Sequence, residues 1–333
     1  MRIKLPVFII TLLVIVISVL LVTFTSLDLW QGKKYPVTIA VSKTPLSTPF
    51  YVAKTIHAFD STCVDATFID VVGGQTAFAM MMSGEADFST SSDSVIAFQS
   101  LTGKAFVSHA VFAQSDNDVK LITQRADNNK TIVDLKNQTI GVTKGTASEY
   151  FLSILLAMEG MTLDDVKVKH YPTEQLVEGL INNEVDAIVP WEPYVYQAKS
   201  RLQNEISIFD SKNLNTLTFN LLSQPADNEL VEKAGCVIDA LRIAIDYIAT
   251  HPLKAQQIMM SKLTLSPSYI DWAWPDYIFK LGLNQSLLLN IKSQARWAIE
   301  SQMADYQQTP SVDAFIDTRA MFQVDAKAVN IPQ

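Results

Sequence analysis

Cysteine and histidine are scarce in this chain, and clusters of basic residues are nearly absent. Two cysteines, Cys63 and Cys236, and four histidines, His57, His109, His170 and His251, are spread over 333 residues. No metal-ligand spacing and no Ser-His-Asp pattern emerges from so few, so neither a metal nor another cofactor is expected. After the N-terminus no run of Lys or Arg exceeds a pair, and the net charge is -8. Both facts oppose nucleic-acid binding, and any attraction for an anion must be local. The phosphate loop G-x-x-x-x-G-K-[ST] is also missing: Lys144 precedes Gly145 and the second glycine is absent, which argues against a nucleoside triphosphate.

Long apolar runs are confined to one place. Arg2 and Lys4 precede an apolar stretch from Leu5 to Phe24, interrupted by Pro6, Thr11, Ser18 and Thr23. About 20 residues suffice to span the hydrocarbon core as a helix. Neither an Ala-x-Ala cleavage site nor a lipobox cysteine follows, so residues 1–30 are expected to be an uncleaved anchor with its start in the cytoplasm. Cleavage near Thr25 is the alternative. The rest would then lie outside the cytoplasmic membrane, where Cys63 and Cys236 have two readings, a disulfide or two buried thiols.

What remains reads as alternating strands and helices. "VTIAVS", the loop "TPLSTPF" and the helix "YVAKTIHAF" form one α/β unit, and the strand "VDATFIDVV" leads through Gly73 and Gly74 into a Met-rich helix. Met80, Met81 and Met82 are read as core filling. "GEADFSTSSD" closes this unit and is echoed by "EVDAIVPWEPY" about a hundred residues later. The pairs Glu85/Asp87 and Glu184/Asp186 resemble acid–base dyads, but at the amino ends of strands they are more simply turn and cap residues. The echo implies two similar lobes with a cleft at the carboxyl ends of their strands. The last third, from "NELVEKAGCVIDALRIAIDYIATHP" to "QSLLLNIKSQARWAIESQM", is mostly helical.

Between the lobes, "IGVTKGTASEYF" carries a strand into a helix. Thr146 and Glu149 have capping-box spacing, while the first-turn amides of Ala147 and Ser148 suit an anion or a polar ligand. Capping and binding are compatible here.

In this order the segments "VSKTPLSTPFYVAK", "GGQTAFAMMMSGEADFSTSSD", "DLKNQTIGVTKGTASEYFL", "EVDAIVPWEPY" and "YIATHPLKAQQIMM" resemble the periplasmic substrate-binding proteins of aliphatic sulfonate, taurine and nitrate transport. That group shares a fold with the thiamine-pyrimidine precursor-binding proteins. The resemblance covers residues 37–330 and implies a bilobal type II periplasmic-binding (Venus-flytrap) fold, two α/β lobes joined by a two-strand hinge. The lobes would be 35–122 with a helical second part, 223–333, and 123–222. It further implies capture of a small organic anion or zwitterion, delivery to an ABC permease with its ATPase, and a periplasmic location; the tether expected from the apolar run at residues 5–24 departs from the family, whose typical members are soluble or lipidated. By position, Leu46, Ser47, Thr48, Gly74, Gln75, Ser91, Ser92, Gly145, Thr146, Ala147, Ser148, Trp191 and Glu192 would line the cleft, Trp191 as an apolar wall and Glu192 facing a ligand amine. Trp191 as a packed aromatic and Glu192 as a surface carboxylate are the plain alternative. The likeness leaves open a thiamine-pyrimidine precursor or nitrate as ligand, and a tethered sensor in place of a transporter.

Eukaryotic pyrimidine synthases of thiamine biosynthesis share this fold and make an enzyme the competing class. Their cysteine-rich iron-binding motif and lysine–histidine pair have no counterpart here, so no catalytic residue is expected.

Overall fold

The computed structural model describes residues 34–331 except 125–130, 203–205, 211, 213 and 304–309. The expected anchor at 5–24 lies outside the described residues, among which no helix is long and apolar enough to cross a membrane.

The strands are β1 (Tyr35–Ser42), β2 (Val64–Val71), β3 (Phe88–Ser92), β4 (Val107–Ser115), β5 (Leu121–Gln124), β6 (Thr139–Val142), β7 (Lys167–His170), β8 (Ala187–Ile188), β9 (Ile206–Phe209), β10 (Leu217–Ser223), β11 (Ile278–Asn284) and β12 (Val329–Asn330). They form two sheets, ordered β12-β11-β4-β10-β3-β1-β2 and β7-β6-β8-β5-β9. Each contains the same motif. In the first, β1 lies parallel between β2 and β3, and β10 runs antiparallel beside β3. In the second, β6 lies parallel between β7 and β8, and β5 runs antiparallel beside β8. Two α/β lobes of the type II periplasmic-binding architecture result, with the carboxyl ends of the parallel strands facing a common cleft.

The echoed acidic residues have matching structural roles. Asp87 Oδ2 accepts the Thr38 amide at 2.7 Å and Asp186 Oδ2 accepts the Thr139 amide at 2.8 Å. In return the Asp87 and Asp186 amides donate to the Thr38 and Thr139 carbonyls, both at 2.8 Å. These aspartates immediately precede β3 and β8 and tie the starts of those strands to the neighbouring β1 and β6, a structural setting.

The chain crosses between sheets twice, from Ser115 to Leu121 and from Phe209 to Leu217. The second crossing precedes the boundary expected at 222. Burial fits this placement: every residue of "LTFNLLS" is buried, and the strand lies inside the first sheet between β4 and β3. The mostly helical final third also contributes two strands, β11 and β12, to the edge of that sheet.

The helix Asn228–Thr250 begins at Asp227, whose side chain caps the Leu230 amide. Its buried stripe, Val231, Ala234, Ile238, Leu241 and Ile248, recurs at helical spacing and packs against the helix Thr48–Thr55. Full burial of one such aliphatic side chain contributes roughly 1.5–3 kcal/mol. Cys236 on this helix is disulfide-bonded to Cys63, just ahead of β2, with Cα atoms 5.6 Å apart.

Candidate functional site

Between the sheets lies a cavity of about 320 Å³. The first lobe supplies Ser42 and Thr44 after β1, Val72 to Thr76 after β2, Ser92 and Val95 after β3, and Leu217 and Phe219 from β10. The second supplies Thr143, Thr146 and Ala147 after β6, Pro172 to Glu174 after β7, and Trp191 after β8. Asp118 and Val119, on the first crossing, complete the lining.

Three helices start at this wall: Gly74–Ser83, Asp93–Ser100 and Ala147–Met158. Each start carries a partial positive charge of about half an elementary unit. Gly74 lets this turn approach β3 closely, since a Cβ there would sit 3.1 Å from Ser91 Cα and the strand backbone would have to yield by a few tenths of an ångström. Ser91 is buried behind the wall and donates to the Gly74 carbonyl at 2.8 Å, which holds this turn. Ser92 caps its helix by accepting the Val95 amide.

The turn after β6 differs from a capping box. Thr146 Oγ1 accepts the Ser148 amide at 3.2 Å and donates to the Thr143 carbonyl at 2.7 Å. Glu149 does not reach back to Thr146; its carboxylate accepts the Gly145 amide at 2.9 Å and meets His170 Nε2 at 2.8 Å. Ser148 is fully buried, donating to the Val189 carbonyl and accepting the Thr143 amide. Its hydroxyl is therefore occupied away from the cavity and its amide by Thr146, and the residues of this helix start that line the cavity are Thr146 and Ala147. Gly145, at φ +65°, faces the opposite lobe, where Gln75 Nε2 donates to its carbonyl at 3.4 Å.

Of the residues expected to line the cleft, Gly74, Gln75, Ser92, Thr146, Ala147 and Trp191 do so. Leu46, Ser47 and Thr48 lie fully buried one layer back; the Thr48 hydroxyl closes a turn onto the Pro45 carbonyl at 2.6 Å. Glu192 is also behind the wall. It is 1 % exposed, and its carboxylate is held by Lys120 Nζ at 3.4 Å, Trp272 Nε1 at 2.7 Å and the Tyr196 amide at 3.2 Å. Burial pushes this carboxyl upward, while Lys120, Trp272 and the amide pull it back.

Two acidic residues do line the cavity, Glu174 and the buried Asp118, and neither was among the residues expected from the sequence. Asp118 is 2 % exposed, and its one hydrogen bond to a described residue comes from the Tyr277 hydroxyl at 3.4 Å. Burial, then the nearby Glu192 charge, push it up to about 8. A signal existed, because "SDNDVKL" falls where the chain first crosses between lobes, at the base of any cleft. Phe219 and Thr173 were not expected either. No described lining residue is Lys, Arg or His, whereas Asp118 and Glu174 both line the cavity.

Comparison with known proteins fits this architecture. The aliphatic sulphonate binding protein SsuA of Escherichia coli is 17 % identical, with a TM-score of 0.71 over 85 % of this chain and 92 % of that one. SsuA of Xanthomonas axonopodis, an alkanesulfonate-binding protein bound to MOPS, is 15 % identical, with a TM-score of 0.73 over 86 % of this chain and 99 % of that one. These likenesses establish the fold. A Brucella abortus chain named as a binding protein is 30 % identical over 79 residues, 24 % of this chain and 25 % of that relative's length. Residues 44–255 match the family described as NMT1/THI5 like, and this span, from the first cavity loop through both lobes into the long helix, shows that the chain belongs to that family.

Proposed function

We propose that this protein is the extracytoplasmic solute-binding component of an ABC-type importer, which closes on a small organic anion or zwitterion and delivers it to a permease and its ATPase. The observation that carries this reading is the cavity itself. It is enclosed between two lobes joined by two crossings, it is lined from both, and its size suits a small molecule. Helix starts at Gly74, Ser92 and Thr146 favour ligand oxygens on one side. The disulfide favours an oxidising compartment. The apolar run at 5–24 favours a tether to the cytoplasmic membrane.

Binding is favoured over catalysis by the placement of the histidines nearest the cleft. His109 is buried in the first sheet and His170 is paired with Glu149; neither lines the cavity. Trp191 and Phe219 also favour a flat ring, so a thiamine-pyrimidine precursor is a second reading.

The test is calorimetry and tryptophan fluorescence of the purified protein against alkanesulfonates, taurine, nitrate and thiamine pyrimidines. Saturable binding of one class, weakened at least tenfold by Trp191→Ala, is expected. Failure of every class to bind at millimolar concentration counts against the reading. Co-purification with a permease separates transport from sensing.

A further inference from the structure

The first crossing between the lobes carries an uneven charge. Asp118 and Lys120 belong to it, and Glu192 follows β8 in the second lobe. All three are 2 % exposed or less. Lys120 turns away from the cavity, donating to the Asn117 carbonyl and to Glu192 Oε1, so the cation is committed to one of the two carboxyls. Trp272, from the first lobe, adds its indole N–H to the same Glu192 oxygen. Asp276, the next acidic group, is paired with Lys212 at 3.4 Å and accepts from Asn117. Tyr277 gives Asp118 its single long hydrogen bond, while its hydroxyl also meets Tyr269 at 2.8 Å. Asp118 thus has no ion pair within 4.0 Å among the described residues, although the Lys120 charge still acts on it from farther off, and it forms part of the cavity wall.

The same cavity is lined by the helix starts at Gly74, Ser92 and Thr146, which offer amides and partial positive charge, and by the apolar side chains of Trp191 and Phe219. A simple anion would meet the donors but bring no N–H for the buried carboxyl of Asp118.

From this geometry we propose that Asp118 is the specificity-determining residue of the site, receiving a cationic or N–H-donating nitrogen of the ligand while the helix starts hold its oxygens or ring acceptors. The proposal rests on the solute-binding reading and narrows it. The ligand class is a small molecule with a protonated amine or an exocyclic amino group at one end. Sulfonates without an amine and nitrate are disfavoured. Burial and the Glu192 charge favour the protonated form of this carboxyl, while Lys120 and the Tyr277 hydrogen bond oppose them. An arriving ammonium favours the carboxylate, and the displaced proton leaves to solvent.

The experiment uses matched pairs that differ only in the nitrogen: taurine against ethanesulfonate, β-alanine against propionate, and 4-amino-5-hydroxymethyl-2-methylpyrimidine against its 4-hydroxy counterpart. The first two pairs report an aliphatic ammonium, the third an aminopyrimidine. Titration calorimetry of the full chain at pH 7, in buffers of different ionisation enthalpy, reads affinity and protons released together. The expected result is that the nitrogen-bearing member of at least one pair binds at least tenfold more tightly than its partner. Asp118→Asn abolishes that preference and, where the nitrogen is an ammonium, also abolishes the release of close to one proton. Melting curves of Asp118→Asn verify folding, and Asp118→Glu, which keeps the charge, retains part of the preference. Equal binding within every pair, or a preference and proton count unchanged in Asp118→Asn, overturns the assignment and leaves the solute-binding reading standing. Absence of binding by every probe overturns both.

Discussion

Lys120 Nζ lies 3.4 Å from Glu192 Oε1, and both side chains are 2 % exposed or less. This ion pair fastens the first crossing to the loop that follows β8, and Trp272 of the other lobe completes it through Glu192 at 2.7 Å. Removing one partner leaves a buried charge uncompensated. Lys120→Met is expected to destabilise the fold by about 3–5 kcal/mol, and Lys120→Met with Glu192→Gln by clearly less than the two single changes added. Urea denaturation of the three variants checks this, and strict additivity would mean that the pair is not coupled.

The Ser148 hydroxyl bridges the Val189 carbonyl and the Thr143 amide inside the second lobe. Ser148→Ala should therefore cost stability, about 1–3 kcal/mol for two buried backbone groups left without it, with ligand affinity close to wild type. Thr146→Ala should cost about 1 kcal/mol through loss of the cap and weaken binding as well. Melting and calorimetry on both variants separate the two effects.

Cys63 and Cys236 are 173 residues apart in sequence, and their bridge ties β2 to the helix Asn228–Thr250. Cys63→Ser with Cys236→Ser is expected to lower stability by about 2–5 kcal/mol, mainly by freeing the unfolded chain. Reduction of the wild-type protein should give a similar shift in the denaturation midpoint and leave the double variant unchanged.

Two buried groups act oppositely on the pH dependence of stability. His109 is fully buried and pairs with Ser223 at 2.8 Å; burial lowers it to about 4 from its ordinary 6.5. The unfolded chain therefore binds the extra proton first, so this contribution is complete above pH 6.5 and is lost as pH falls towards 4. Asp118 is raised from 3.8 to about 8. Its contribution is complete below pH 3.8 and is lost as pH rises through 8. Asp118→Asn should accordingly gain stability over wild type above pH 8 and match it near pH 4, while His109→Gln should remove the rise that offsets Asp118, so that stability falls with rising pH between 4 and 6.5. Guanidinium melts across that range read both slopes, and an Asp118→Asn difference independent of pH would contradict the assignment.

The lobes also touch across the cavity mouth, where Gln75 Nε2 reaches the Gly145 carbonyl at 3.4 Å and Tyr150 packs edge-on against Trp297 at 5.3 Å. Gln75→Ala and Trp297→Ala together should favour an open form, seen as a larger radius of gyration in small-angle scattering without ligand. An unchanged radius would show that these contacts do not hold the mouth closed.

Much of this protein is local in origin and legible along the chain. Hydrophobic alternation marks β1 and β2, helical spacing marks Asn228–Thr250, and the repeated Glu-x-Asp phrase marks two equivalent lobes whose aspartates tie β3 to β1 and β8 to β6. The order of loops then places Gly74, Gln75, Ser92, Thr146, Ala147 and Trp191 at one cavity. What the sequence leaves undecided is the side of the wall each polar group serves. Ser148 faces inward because its acceptor is 41 residues away, and Glu192 is withdrawn because its lysine is 72 residues away. Asp118 is left in the cavity wall while Lys120, two residues on, is committed to Glu192. Such choices depend on which distant partners the two sheets bring within about 3 Å, and a hydrogen bond that short-ranged leaves no periodic trace along the chain.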